Sequence, residues 1–183
     1  WSQVEFCNEI DEIQHPIVRE AFRMFEVESP LELTTFSDIP AGTGLGSSST
    51  FAVGLVNALH ALRRQRVTKH TLASKAAQIE IDIIGRVMGK QDHFAAAYGN
   101  LNVFTFHPNE VVTVNPVFYS PEVWRELQQN LLLFYTKVKR DSSNVLRIQE
   151  REAENNRFIL RQMKDLVSIL QDVLSTGKNL NRF

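Results

Sequence analysis

A single cysteine, Cys7, in 183 residues rules out an internal disulfide, and no Cys or His cluster has the spacing of a zinc site. A reducing cytoplasm is the expected setting. No apolar run approaches the roughly 18 residues of a membrane span, and the first residues lack the apolar core of a signal peptide. The chain is expected to be soluble, with no membrane partner. Charge of one sign is missing too. Lys and Arg number 20 against 21 Asp and Glu, a net charge of -1, so no overall positive field gathers nucleic acid. Any anion site has to be local. An initiating methionine is also absent. The chain opens on Trp1 and reads from its start like the middle of a protein, so a fragment is expected.

Hydrophobic residues at 43% and charged residues at 22% are ordinary for a globular domain. In HPIVREAFRMFE, residues 15 to 26, Ile17, Ala21, Phe22 and Phe25 recur at spacings of three and four, which predicts a helix with one buried face. LELTTF at 31 to 36 alternates and reads as a strand. Phe51, Leu55, Leu59 and Leu62 predict a buried helix over 48 to 64, with Arg63, Arg64 and Arg66 placed to favour the dipole at its end. Thr68 is placed to cap a helix reaching about Arg86, with Leu72, Ala76, Ile79 and Ile83 inward. A helix at 93 to 98 follows. Strands at 100 to 106 and 111 to 114 make a hairpin around His107-Pro108-Asn109-Glu110. The run from Leu131 to Tyr135 reads as a buried strand. From Ser142 onward the chain is helical, packed through Ile159, Met163, Leu166, Leu170 and Val173. Interleaved helices and strands give an α/β or α+β fold.

The segment between the first strand and the long helix is Asp38-Ile39-Pro40-Ala41-Gly42-Thr43-Gly44-Leu45-Gly46-Ser47-Ser48-Ser49-Thr50. Its three glycines let backbone approach a ligand, and the following helix presents unpaired N–H groups and the positive end of its dipole. Ser47, Ser48 and Ser49 add hydroxyls suited to phosphate or Mg²⁺. The alternative is a glycine turn with a serine helix cap. No lysine follows Gly46, which excludes the Walker loop, and the GxGxG spacing excludes the dinucleotide fingerprint. Phosphoryl transfer also calls for carboxylates, to hold metal and to orient the acceptor hydroxyl. Glu80 and Asp92 are available, and read plainly they are a solvated helix residue and a helix cap.

PAGTGLGSSS, from Pro40 to Ser49, resembles the second signature motif of the GHMP kinases, Pro-x-x-x-Gly-Leu-Gly-Ser-Ser, at every fixed position. The resemblance implies a two-domain kinase whose N-terminal domain is similar to ribosomal protein S5. Residues 1–130 would be part of that ATP-binding domain, and 131–183 the beginning of a truncated helical or ferredoxin-like C-terminal domain. It further implies that Pro40, Gly42, Gly44, Leu45, Gly46, Ser47, Ser48 and Ser49 cradle the ATP phosphates. Ser48 and Glu80 would hold Mg²⁺, and Asp92, twelve residues after Glu80, would be the catalytic base. GKQDHFAAAYGNLNVFTF, at 89 to 106, resembles the D-glycero-D-manno-heptose 7-phosphate kinase branch, with Asn100 where the branch usually has a second glycine. LLLFYTKVKRDSSNVL, at 131 to 146, is similar to a strand and turn beside the GHMP active site, which adds Thr136 and Arg140 as substrate residues, beside Lys90 two residues before Asp92. The family's first and third motifs do not occur in the chain.

The expected activity is ATP- and Mg²⁺-dependent transfer of the γ-phosphoryl group to a hydroxyl of a sugar or sugar phosphate, heptose 7-phosphate first. The alternatives are a non-catalytic or truncated nucleotide-binding homologue, and a kinase for fucose, galactose or mevalonate. ATP and the sugar are the expected partners, without nucleic acid, and a homodimer is compatible with the family.

Overall fold

The computed structural model describes residues 4–28, 30–38, 43–134, 142–178 and 180. Two compact units divide the chain, Trp1–Tyr98 with Lys139–Leu146, and Gly99–Val138 with Arg147–Phe183.

The regular structure of the first unit, among the described residues, is helical. Helix α1 (Pro16–Met24) begins on a proline, whose missing N–H is not needed in the first turn. The expected face is buried: Ile17, Ala21, Phe22 and Phe25 enter one core with Ala52, Val53, Leu55, Val56 and Leu59 of α2 (Ser47–Leu62). Each fully buried aliphatic or aromatic side chain of this kind stabilises by about 1.5–3 kcal/mol. Leu62, expected on the same face, is exposed at the last turn of α2. Arg63, the C-cap of α2, also reaches the preceding helix. Its guanidinium donates to the Phe25 carbonyl at the end of α1 and lies 5.7 Å from the centre of the Phe25 ring.

Helix α3 (Lys69–Ala77) is capped as expected, with the Thr68 hydroxyl accepting from the Thr71 N–H at 3.1 Å. It then widens into a π-helical turn, Gln78–Ile83, in which the Ile84 N–H reaches back to the Ile79 carbonyl. That extra residue in the turn shifts the phase of the helix. Leu72, Ala76 and Ile79 are buried as the 3.6-residue period requires, but Ile83 is 46% exposed, and Glu80 is buried instead at 0%. Helix α4 (Gln91–Tyr98) packs on α2 and α3 with His93 and Phe94 buried. It starts two residues earlier than expected. Asp92 therefore lies within the first turn, and it is the Lys90 carbonyl that accepts the Phe94 N–H.

The second unit opens with Asn100 at φ +57, a left-handed position where glycine is the easiest residue and asparagine a tolerated one. Strands β1 (Asn102–Phe106) and β2 (Val112–Pro116) form the expected antiparallel hairpin, in register from Asn102 opposite Pro116 to Phe106 opposite Val112. Helix α5 (Pro121–Asn130), which the sequence reading does not anticipate, is capped by the Ser120 hydroxyl on the Val123 N–H. Helix α6 (Ser142–Arg151) crosses the sequence boundary between the units, and α7 (Arg157–Thr176) completes the second. Val117, Val123, Leu127 and Leu174 form a small core. It reaches only the C-terminal end of α7, so Ile159, Met163 and Leu166, expected to pack, are exposed.

Two expected strands are corrected. Residues 31–36 have no regular hydrogen bonding, and Leu31, Leu33 and Phe36 are exposed. Leu131–Phe134 is likewise irregular, and Leu133 is 85% exposed. The reason is common to both. A strand exists only by pairing, and the one sheet among the described residues consists of β1 and β2 alone. No helix among the described residues is long and apolar enough to cross a membrane.

Candidate active site

The described part of the glycine loop ends on two left-handed residues, Gly44 at φ +76 and Gly46 at φ +69. Such angles strain any residue carrying a Cβ. Gly46 is the N-cap of α2, and its carbonyl accepts the Thr50 N–H at 2.9 Å. Glycine at the N-cap supplies no side-chain cap, and the leading N–H groups and the positive dipole end face the loop. Among the described residues, a Cβ on Gly44 would meet nothing within 4 Å. Leu45 is exposed, Ser47 is half-buried, and Ser49 is turned into the core at 1% exposure with its hydroxyl unpartnered among the described residues.

Glu80 is the centre of a charged cluster beside this loop. The π-helical turn carries its carboxylate inward, where the Ser48 hydroxyl, on the first turn of α2, donates to Oε1. Arg86 follows Gly85, itself at φ +76, and its Nη1 donates both to Glu80 Oε1 and to Ser48 Oγ, the latter at 2.6 Å. On the other side His93 Nε2 lies 2.9 Å from Oε2. An ionised carboxylate only accepts, so this nitrogen carries the proton. His93 is fully buried, and its Nδ1 has no partner among the described residues. Burial pushes the Glu80 carboxyl up, but the hydrogen bonds from His93 and Ser48, together with the neighbouring His93 and Arg86, outweigh it and hold the group below its ordinary value. Glu80 is therefore a buried, ionised carboxylate.

Asp92 is exposed on the first turn of α4 and lies against the loop, its carboxylate 3.4 Å from where a Gly46 Cβ would be. Lys90 is half-buried just before that helix. The structure thus brings Gly44, Gly46, Ser48, Glu80 and Asp92 into one neighbourhood. Pro40, Gly42, Thr136 and Arg140 lie outside the described residues. Arg86 and His93 are the participants that sequence reasoning did not pick out. His93 had only its place beside Asp92 to recommend it, and Arg86 only a glycine before it.

The Ser48 hydroxyl and the Glu80 carboxylate are hard oxygen donors converging on one point, which suits Mg²⁺, an ion that takes one or two protein oxygens and completes its shell with water and phosphate. Among the described residues no group of three His, Cys, Asp or Glu side chains makes an all-protein cage. The donor set fits an ion brought in with a nucleotide.

Residues 15–100 match the GHMP kinases N terminal domain. The chain is 34% identical over 113 residues to D-glycero-alpha-D-manno-heptose 7-phosphate kinase of Campylobacter jejuni, covering 62% of this chain and 33% of that protein. Among solved structures, a D-glycero-D-manno-heptose 1-phosphate kinase from Bacteriodes thetaiotaomicron aligns at TM-score 0.56 and 33% identity, over 61% of this chain and 37% of that one. A structure described as a sugar kinase from Campylobacter jejuni aligns at TM-score 0.59 and 27% identity, over 98% of this chain and 55% of that one. The chain spans about a third of the length of the curated relative. Its fold class is the mixed α and β class of these kinases. The glycine loop, the Glu80 cluster and Asp92 all lie inside the residues that match the GHMP kinases N terminal domain.

Proposed function

We propose that the protein is an ATP- and Mg²⁺-dependent kinase that phosphorylates a hydroxyl of a sugar phosphate, with a heptose phosphate as its substrate. The observation that carries this is the convergence of a left-handed glycine loop at a helix N-terminus, an ionised Glu80 bonded to Ser48, and Asp92 set against Gly46. The loop N–H groups and the dipole of α2 bind and orient the phosphates. Ser48 and Glu80 would hold Mg²⁺, which when bound offsets charge on the transferring phosphoryl group. Asp92, at the solvent-facing edge of the loop, accepts the proton of the acceptor hydroxyl as its oxygen bonds to the γ-phosphorus and the bond to the ADP oxygen breaks. Residues 1–130 are read as part of the ATP-binding domain and 131–183 as the start of the C-terminal domain, in a cytoplasmic enzyme.

The heptose assignment is supported by the relatives' names, which differ in one respect: one concerns heptose 7-phosphate and the other heptose 1-phosphate. The full-length protein should therefore be offered MgATP with each of these two sugars, and with galactose, fucose and mevalonate, comparing kcat/KM. The highest value is expected with heptose 7-phosphate, phosphorylated on its anomeric hydroxyl. A preference for an unphosphorylated sugar or mevalonate overturns the substrate and leaves the kinase. Absence of turnover with all of them, in a protein that binds nucleotide, favours a non-catalytic homologue.

A further inference from the structure

We infer that Arg86 is a built-in counter-cation at the metal site, holding the oxygens of Ser48 and Glu80 and contesting them with a divalent ion. This rests on the metal-binding role proposed for Ser48 and Glu80. A single guanidinium nitrogen, Nη1, donates to both Ser48 Oγ and Glu80 Oε1. Those two atoms are the hard donors that an ion would need, and Glu80 Oε1 already accepts from both Ser48 and Arg86, so a metal ion at that oxygen has to displace one of them. The two cations therefore exchange.

The physical reason for such an occupant lies in the burial of Glu80. An ionised carboxylate at 0% exposure is costly unless a positive charge stays beside it. Arg86 supplies that charge through a side chain that is itself 33% exposed, so it has a way out toward solvent when a divalent ion arrives. A guanidinium is weakly hydrated and suited to phosphate, and the incoming nucleotide offers the released Arg86 anionic oxygens in place of those it gives up. Glu80 is never without a cation, and free metal is held weakly until nucleotide comes with it. His93, on the opposite carboxylate oxygen, keeps Glu80 oriented through the exchange.

The test is Mn²⁺ binding to the full-length protein without nucleotide, read from the electron paramagnetic resonance of the free ion. Wild type is compared with Arg86→Gln, Arg86→Lys and Glu80→Gln. Arg86→Gln should bind Mn²⁺ about ten- to a hundredfold more tightly, the range set by removing a hydrogen bond to a charged group. Mn²⁺ should also raise its melting temperature more than that of wild type, a gain that a merely structural arginine would not produce. Should Arg86→Gln fail to fold, Arg86→Lys decides, since its side chain is one bond shorter and holds the two oxygens less closely. It should bind about a few-fold more tightly than wild type. Unchanged or weaker Mn²⁺ affinity in the folded Arg86 variants, with binding lost in Glu80→Gln, overturns the counter-cation role and keeps the metal site. Undiminished Mn²⁺ binding in Glu80→Gln overturns the metal site itself, and the role of Arg86 with it.

Discussion

The Asp92 carboxylate lies directly over Gly46, with Cγ and Oδ2 both 3.4 Å from the point where a Cβ on Gly46 would stand. Gly46 closes the glycine loop and Asp92 is the proton acceptor proposed above, so on that proposal loop shape and proton transfer share a single contact. Gly46→Ala tests this. The left-handed φ of +69 makes the alanine cost about 1–2 kcal/mol in stability, readable by denaturant unfolding. The added methyl also presses on Asp92, so kcat should fall further than nucleotide affinity. Unaltered kcat would separate the two functions.

Asp92→Asn keeps the shape of the side chain and removes its charge. Turnover should fall by about 10² to 10⁴, the usual range for loss of a general base. ATP affinity, measured by calorimetry, should hold. A variant with near-normal turnover would leave Asp92 no more than a first-turn acidic residue favouring the dipole of α4.

Glu80 links the site to acid stability. Its folded carboxyl lies below the ordinary 4.5, so on acidification the unfolded chain takes up the proton first. The stabilisation is fully present above pH 4.5 and is lost as pH falls through the lower folded value. Glu80→Gln should be less stable than wild type at neutral pH, and the two urea-unfolding curves should converge in acid. Parallel curves across the whole range would show that Glu80 is not ionised in the folded protein. Its kinase activity should recover in part at raised Mg²⁺.

Gly44 differs from Gly46 in having no neighbour among the described residues within 4 Å of its added Cβ. Gly44→Val therefore acts by strain at φ +76 and by filling the space a phosphate would use. Nucleotide affinity should drop at least about tenfold, the loss of one charge-assisted hydrogen bond, and stability should fall by at least the ~1–2 kcal/mol of a left-handed residue without unfolding the protein. Full affinity in a folded variant would move the phosphate site elsewhere.

In the second unit, Gly177 ends α7 at φ +67, and a Cβ there would come 2.7 Å from Val123 Cγ2 of α5. Gly177→Ala should destabilise that unit by more than the ~1–2 kcal/mol of the backbone alone. Val123→Ala removes the obstructing methyl. The double variant should therefore lose less than the two single losses added together, which a double-mutant cycle in urea measures.

What could be read ahead of the structure was whatever depends on near neighbours in the chain. The face of Ile17, Ala21, Phe22 and Phe25, the Thr68 cap and the hairpin around His107–Glu110 follow from local spacing and turn chemistry, and all appear. The strand at 31–36 has the right alternation, but its existence depends on a partner that alternation cannot name. Helix α5 is the opposite case: Ser120-Pro121 and the pair Val123 and Leu127 were visible signals, too brief to outweigh the surrounding loop. Glu80 was found only through family resemblance, because a regular helical wheel puts Ile83 inward and the widened turn reverses that choice. Arg86 and His93 escaped because their meaning lies in a cluster that joins four separate stretches of chain.

The π-helical turn also makes the site sensitive to a kind of genetic change that substitutions do not sample. Removal of one codon between Asp82 and Ile84 would let the widened turn close into an ordinary α-helical one. The residues on either side would then be rotated relative to each other by about 100°, the angular step of one residue. Ile79 and Glu80, both before the deletion, would keep their places, while Arg86 beyond it would swing away from Ser48 and Glu80. Such an in-frame deletion would leave a helix with regular hydrogen bonds and a buried carboxylate without its arginine. In a natural population it would look like a silent length polymorphism in a helix.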